Sequence, residues 1–82
     1  MLDGVVYPNP SAGDFKINIS SEDVLQNCYI RVTDLTGRQV LFLDNLLPNS
    51  EYLFGENIPA GIYLLHLSQG DESVVSQIVK LD

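Results

Sequence analysis

Residues 58–67, Ile58-Pro59-Ala60-Gly61-Ile62-Tyr63-Leu64-Leu65-His66-Leu67, decide the fold of this chain. A proline–glycine turn leads into a mostly apolar run, which is too short for a typical helix and suits a buried strand. Gly61-Ile62-Tyr63 has the sequence form of a tyrosine corner, in which a tyrosine near the start of a strand hydrogen-bonds to the backbone a few residues upstream. We therefore predict that Tyr63 is buried and that its hydroxyl reaches the backbone between Ile58 and Ala60. The simpler alternative is an ordinary β-turn followed by a hydrophobic strand.

Turn residues divide the rest of the chain into short segments that alternate between apolar and polar side chains. Two prolines end the first segment, and Asp34-Leu35-Thr36-Gly37 has the residues of a type I turn that joins two strands as a hairpin. No segment shows a sustained helical period. The pattern predicts an all-β fold, an immunoglobulin-like antiparallel β-sandwich of about seven strands. The predicted strands are Val5–Tyr7, Asp14–Ser20, Cys28–Asp34, Arg38–Leu43, Glu51–Phe54, the run after Gly61, and Ser73–Leu81.

Side chains point alternately to the two faces of a strand, so the pattern also predicts the core. The inward residues are predicted to be Phe15, Ile17, Ile19, Ile30, Val32, Val40, Phe42, Tyr63, Leu65 and Leu67. The last strand leaves its facing open, because Val75, Val79 and Leu81 form one apolar set and Val74 and Ile78 form the other. A strand that is apolar on both faces is either central or covered by something else.

Composition limits what the chain can be. With 82 residues, 45% of them hydrophobic, it is long enough for one domain with a packed core. Its formal net charge of −7 and its four scattered basic residues disfavour a nucleic-acid partner. The only cysteine, Cys28, cannot form an internal disulfide and is expected to act as a small buried hydrophobe.

The ends of the chain suggest its context. No apolar segment approaches membrane-spanning length, and Met1-Leu2-Asp3-Gly4 lacks the basic and apolar regions of a signal peptide. The chain is then either cytoplasmic or part of a larger precursor. Because the strand pattern begins almost at once, at Val5, we expect residues 1–82 to be a single domain excised from a larger secreted protein.

The sequence offers no recognisable set of catalytic groups. A single histidine, His66, excludes a histidine pair, and its outward parity predicts a surface side chain. No serine lies in a Gly-x-Ser-x-Gly turn, and no phosphate-binding glycine loop occurs. Carboxylates such as Asp34 and Asp71 lie in predicted turns without the spacing of a calcium loop. We therefore predict no enzyme activity and no catalytic, metal-binding or cofactor-binding residue.

Three segments and an ending carry a resemblance to a known family. In chain order they are Val6-Tyr7-Pro8-Asn9-Pro10 with Gly13 and Phe15, then Val32-Thr33-Asp34-Leu35-Thr36-Gly37-Arg38-Gln39-Val40, then residues 58–65, and finally Gln77-Ile78-Val79-Lys80-Leu81. With these motifs, nearly the whole chain resembles the type A C-terminal sorting domain of the type IX (Por) secretion system. One departure is that members often finish on a basic residue, whereas this chain continues past Lys80 to Leu81-Asp82.

The resemblance implies a secretion signal attached to an N-terminal cargo domain. Such domains direct cargo across the outer membrane, are recognised by the type IX translocon, and are usually removed by its processing peptidase. They imply passage through the periplasm and then the cell surface or the medium. The structural motif residues would be Tyr7, Pro8, Asn9, Pro10, Gly13, Asp34, Gly37, Gly61 and Tyr63.

The last strand is where we expect the partner to be recognised. A terminal strand has a free end, and its unpaired backbone groups are a template for another chain. The residues predicted to take part are Val74, Val75, Ile78, Val79, Lys80 and Leu81.

Two other classes of function compete with this interpretation. An immunoglobulin-like accessory module that binds carbohydrate or a cell-surface protein would have the same sandwich, and would need a row of exposed aromatics for which Tyr29 and Tyr52 are the candidates. A small hydrolase would need a convergent polar site that the sequence does not provide.

Overall fold

The computed structural model describes residues 1–82 and contains seven strands and no helix. All strand pairs are antiparallel and form two sheets, one ordered β1-β2-β5 and the other β4-β3-β6-β7. The predicted all-β sandwich is confirmed. The strands are β1 (Asp3–Tyr7), β2 (Phe15–Ser20), β3 (Cys28–Asp34), β4 (Gln39–Leu46), β5 (Glu51–Phe54), β6 (Gly61–Gln69) and β7 (Glu72–Lys80).

The core lies between the two sheets and comes from alternate residues of the strands. Eight of the ten predicted core residues are buried, including all those predicted on β2, β3 and β6. Sequence alternation did not identify three further buried side chains, Leu2, Leu46 and Phe54, which lie at the ends of segments. The full buried cluster is Leu2, Phe15, Ile17, Ile19, Cys28, Ile30, Val32, Leu46, Phe54, Tyr63, Leu65, Leu67 and Ile78.

The prediction for β4 was wrong by one residue. Phe42 is 46% exposed and packs against Tyr29 on the outer face, with ring centroids 5.5 Å apart and ring planes tilted by 41°. The inward residues are Leu41 and Leu43, which lie opposite Val32 and Ile30 in the register. Paired residues share a face of the sheet, so Phe42, opposite outward-facing Arg31, must point out.

The sequence could not decide this facing. Residues 40–43 are all apolar, so alternation gives no answer, and irregularities in the β3–β4 pairing between Val32 and Thr33 and between Cys28 and Ile30 set the register. Val40 is only partly buried, although it does pack against the core.

The last strand is an edge strand with a definite facing. β7 pairs with β6 and has no strand on its other side. Ile78 and Lys80 are buried and Val74 is partly buried, so this set points inward. Val75 and Val79 have the opposite parity and lie on the outer face. The structure holds no helix of the length and apolar character that crossing a membrane requires.

The tyrosine corner is present as predicted. Tyr63 is only 6% exposed, and its hydroxyl donates a 2.6 Å hydrogen bond to the carbonyl oxygen of Pro59. Its ring lies beside Gly61, where a Cβ atom would be 3.7 Å from the ring. The corner therefore fixes the turn before β6 to the strand itself.

We expect Tyr63→Phe to lower the free energy of unfolding by about 1 kcal/mol, because it removes this hydrogen bond and leaves the Pro59 carbonyl without its partner. Urea denaturation measures the change. Tyr29→Phe is the control, since the Tyr29 hydroxyl makes no hydrogen bond within the domain and the side chain is 41% exposed. Equal midpoints for the wild type and Tyr63→Phe would contradict a stabilising corner.

Candidate functional site

The Tyr-Pro-Asn-Pro segment covers part of the free edge of β7. The side-chain amide of Asn9 donates to the carbonyl of Gln77 at 2.9 Å, and its oxygen accepts from the Val79 N–H at 3.0 Å. Ser11 continues the pairing, donating its N–H to the Val79 carbonyl at 3.1 Å and accepting from the Leu81 N–H at 2.8 Å. Residues 77–81 are thus joined to a segment about 70 positions earlier in the chain.

The two proline bonds of this segment, Tyr7–Pro8 and Asn9–Pro10, are both cis. Asn9 lies between them, and its side chain takes the place of a neighbouring strand beside Gln77 and Val79. The first half of the β7 edge, around Ser73 and Val75, has no such cover among the strand pairs or the side-chain hydrogen bonds.

Lys80 holds the end of β7 inside the sandwich. The residue is 6% exposed, and its ammonium donates to three backbone carbonyls, those of Gly13 at 2.7 Å, Gly55 at 2.6 Å and Glu56 at 2.9 Å. No carboxylate pairs with it. Its charge is stabilised by carbonyl dipoles, and it also lies 5.9 Å from the ring centroid of Phe15.

The loop that supplies two of these carbonyls needs glycine at its start. Gly55 has φ 82°, and a Cβ atom there would come within 3.1 Å of the Phe15 ring. Close contact between this loop, Phe15 and Lys80 therefore depends on the missing side chain. Three elements that are distant in sequence, the 11–14 turn, the 55–56 turn and the end of β7, meet at one ammonium group.

The other predicted motif residues have structural contacts of their own. The Tyr7 hydroxyl donates to the Glu51 carboxylate, and this hydrogen bond raises the pKa of Tyr7. The Asp34 carboxylate accepts from the Thr36 hydroxyl and from backbone N–H groups of the turn, which holds the pKa of Asp34 below its usual value. The turn closes through a 3.0 Å bond from the Gly37 N–H to the Asp34 carbonyl, as the type I pattern predicts.

The residues predicted for partner recognition do not lie together. Ile78 and Lys80 are buried in the sandwich, and Val74 points the same way and is partly buried against the core. Val75 is 57% exposed and Leu81 is 46% exposed, while Val79 is half-buried on the same outer face as Val75. The structure thus divides the predicted set into an inner half that holds β7 and an outer half that faces solvent.

The sequence prediction missed two features of this region. The first is Ser11, which pairs with β7 through its backbone and therefore leaves no signal in its side chain. The second is the internal role of Lys80, for which a signal exists, because its parity is that of the apolar residues Val74 and Ile78. A lysine on the inward side of a strand must find oxygen ligands for its ammonium.

The remaining candidate groups form no reactive set. Cys28 is buried, and this burial raises the pKa of its thiol. His66 is half-buried on the outer face, with its Nε2 atom 3.3 Å from the Thr33 hydroxyl. No three histidine, cysteine or acidic side chains lie close enough to hold a metal ion, and the surface has no enclosed cavity.

A family comparison decides what this architecture belongs to. Residues 5–81 match the model of the family described as "Secretion system C-terminal sorting domain". The chain belongs to this family. The match begins in β1 and ends just after β7, so it includes both the Asn9 turn and the Lys80 site. A search of curated proteins found no match.

The sorting domain is a secretion signal of the type IX system. Its function implies an N-terminal cargo and the type IX machinery as partners, and it implies export to the cell surface or into the medium. The family is not a family of enzymes. The resemblance drawn from the sequence motifs is therefore confirmed over almost the entire chain.

Proposed function

We propose that residues 1–82 form a single sorting domain of a larger exported protein, and that the translocon reads the outer side of its last strand. In this proposal the domain has no catalytic activity of its own. It passes through the periplasm with its cargo, and a peptidase removes it at or after passage across the outer membrane.

The exposure of apolar side chains on the outer face of β7 supports this proposal most directly. Val75 is 57% exposed although it lies in the middle of β7, with the full β6 pairing on one side. Val79 and Leu81 extend the same face toward the C-terminal end of the domain. Ordered apolar groups that face solvent together are typical of protein interaction sites.

The inner residues of β7 would serve recognition indirectly. Ile78 and Lys80 fix the strand against the core, and Asn9 fixes its edge. Deleting residues 74–82 would therefore remove both the surface and the contacts that fold the domain. Substitutions on the exposed face separate these two effects, because they leave the core and the Lys80 hydrogen bonds in place.

The test is to fuse the domain to a neutral periplasmic reporter in a host that has a type IX system. We expect the intact domain to deliver the reporter to the cell surface or the medium, and Val75→Ser to retain most of it in the periplasm. Leu53→Ser is the matched control, since Leu53 is a strand residue 62% exposed on the outer face of the other sheet. Thermal denaturation of each purified variant checks that the fold is retained.

The outcomes distinguish the main alternatives. If the intact domain leaves the reporter in the periplasm, the sorting function fails for this chain and the accessory-module interpretation replaces it. If export is lost equally with Val75→Ser and Leu53→Ser, the outer side of β7 is not the recognised surface. Of the two aromatics required by an accessory module, Tyr29 is exposed beside Phe42, whereas the Tyr52 hydroxyl is bound to the Leu47 N–H at 2.7 Å.

A further inference from the structure

One row of residues crosses all four strands of the larger sheet on its outer face. Phe42 on β4 lies opposite Arg31 on β3, Arg31 lies opposite His66 on β6, and His66 lies opposite Val75 on β7. We call these four residues the transverse row. Phe42 and Val75 at its two ends are 46% and 57% exposed, and Arg31 and His66 between them are half-buried.

Arg31 is the one lysine or arginine of the domain that makes no salt bridge, side-chain hydrogen bond or cation–π contact within it. Lys80 is held by three carbonyls, Arg38 pairs with Asp34 at 3.2 Å, and the ammonium of Lys16 lies 5.9 Å from the ring centroid of Tyr7. The guanidinium of Arg31 makes no salt bridge and no side-chain hydrogen bond, although the chain carries eleven acidic residues.

This arrangement differs from the outer face of the smaller sheet. There, Lys16 and Tyr7 lie opposite each other, and Tyr7 binds the Glu51 carboxylate, so the charged groups are matched locally. On the larger sheet, Arg31 lies between Phe42 and His66, and the row contains no acidic residue. Arginine and aromatic side chains are both enriched at the centres of protein interfaces.

We propose that the transverse row docks a surface of another protein in which a carboxylate, surrounded by apolar groups, pairs with Arg31. This inference rests on the proposed function, because it extends the recognised surface from β7 across the sheet and specifies its chemistry. A guanidinium presents a planar fork of donors that matches a carboxylate in two parallel hydrogen bonds. Phe42 on one side of Arg31, and His66 with Val75 beyond it on the other side, would exclude water from that pair.

The net charge of the domain favours a different protein as the occupant of this face over a second copy of the domain or an anionic membrane. Two copies of the domain, each with a net charge of −7, repel each other, and the row has no carboxylate to offer to the Arg31 of a second copy. The same net charge opposes binding to an anionic membrane surface. A partner protein with one carboxylate at the contact pairs with the Arg31 guanidinium and needs no large negative net charge of its own.

The test uses the reporter fusion with substitutions at Arg31 and at Lys16. Arg31→Gln removes the charge and is expected to reduce delivery of the reporter to the surface at least about tenfold, because loss of one partner of a buried ion pair weakens binding by more than that factor. Arg31→Lys keeps the charge and should restore part of the delivery. Lys16→Gln is the matched control, since Lys16 is a half-buried cation on the outer face of the other sheet, and it should export like the wild type.

The results distinguish failure of the docking inference from failure of the sorting function. Wild-type delivery by Arg31→Gln overturns the docking inference and leaves the sorting function intact, whereas failure of the unmodified domain overturns both. If Arg31→Gln and Lys16→Gln reduce delivery of the reporter equally, the effect is a general one of charge, and this result would also overturn the docking inference. Thermal midpoints within a few degrees of the wild type are required of every variant, and Phe42→Ser replaces Arg31→Gln if the latter does not fold.

Two binding measurements on the purified domain test the other occupants. We expect size-exclusion chromatography to give a monomer and phosphatidylglycerol vesicles to leave the domain unbound. A dimer that Arg31→Gln dissociates would assign the face to a second copy of the chain. Vesicle binding that Arg31→Gln abolishes would assign it to lipid, and either result would overturn the proposal of a protein partner.

Discussion

Replacing Lys80 with methionine lowers the free energy of unfolding by about 3 kcal/mol, because three backbone carbonyls lose a charged donor. Methionine keeps the length and apolar stem of lysine, so the change isolates the ammonium group. Desolvation of the ammonium limits the net value of each bond, which is why the expected loss is smaller than the sum of three. A domain of this size has a total stability of about 4–12 kcal/mol, so the loss is a large share of it.

Urea denaturation followed by circular dichroism measures this effect. Lys16→Met is the control, because Lys16 makes no hydrogen bond through its ammonium and lies on the outer face of its sheet. A stability equal to that of the wild type in Lys80→Met would contradict the role of the ammonium. Increased stability would mean that an apolar side chain serves better at this position, as occurs for some buried ionic groups.

Phe15→Ala is expected to lower the free energy of unfolding by about 4 kcal/mol, the largest effect of a single substitution in the core. Phe15 is fully buried, stacks on Phe54 with ring centroids 5.4 Å apart, and lies under the Lys80 ammonium. Its removal opens a cavity where the two sheets and the 55–56 turn meet. For a domain near the lower end of the usual stability range, such a loss leaves much of the population unfolded at 37 °C.

The measurement is the urea midpoint together with the reporter assay at two temperatures. Phe15→Leu should cost less, because leucine fills most of the volume, and Leu53→Ala should have little effect, because Leu53 is 62% exposed. We expect Phe15→Ala to export normally at low temperature and poorly at high temperature if the translocon requires the folded domain. Normal export by a variant that is demonstrably unfolded would show that the translocon recognises the unfolded sequence.

Sequence patterning predicted the class of the fold because most strands are unambiguous. β2 alternates without exception, and β3 and β6 carry apolar residues at every inward position predicted from parity. Turn chemistry was equally direct, since Asp34 and Gly37 occupy the positions that a type I turn requires. These signals are local, so a single sequence contains them.

The facing of β4 and β7 could not be obtained in the same way. Both strands are apolar on their two faces, and what decides between the faces is pairing with another strand. For β4, irregular pairing with β3 turns Phe42 outward. For β7, the register with β6 turns Ile78 and Lys80 inward. Such information is spread over distant residues and becomes visible only when the chain is folded.

The proposed recognition surface, like the fold, could be predicted from the sequence only in part. The prediction that the last strand matters came from its position in the chain and from its family, and neither distinguishes Val75 from Val74. Sequence analysis did not identify Arg31 as a recognition residue, because nothing in the neighbouring sequence indicates that its guanidinium lacks a salt bridge or hydrogen bond. That fact depends on where all eleven acidic side chains are placed by the fold.

Because Lys80 holds the end of β7 inside the sandwich, the domain can fold only late in its own synthesis. β7 is synthesised last, yet it supplies Ile78 to the core and Lys80 to two turns made much earlier. A nascent domain that still lacks this strand has an open core, and β6 is paired only with β3. The domain can therefore complete its fold only after β7, its last strand, has left the ribosome.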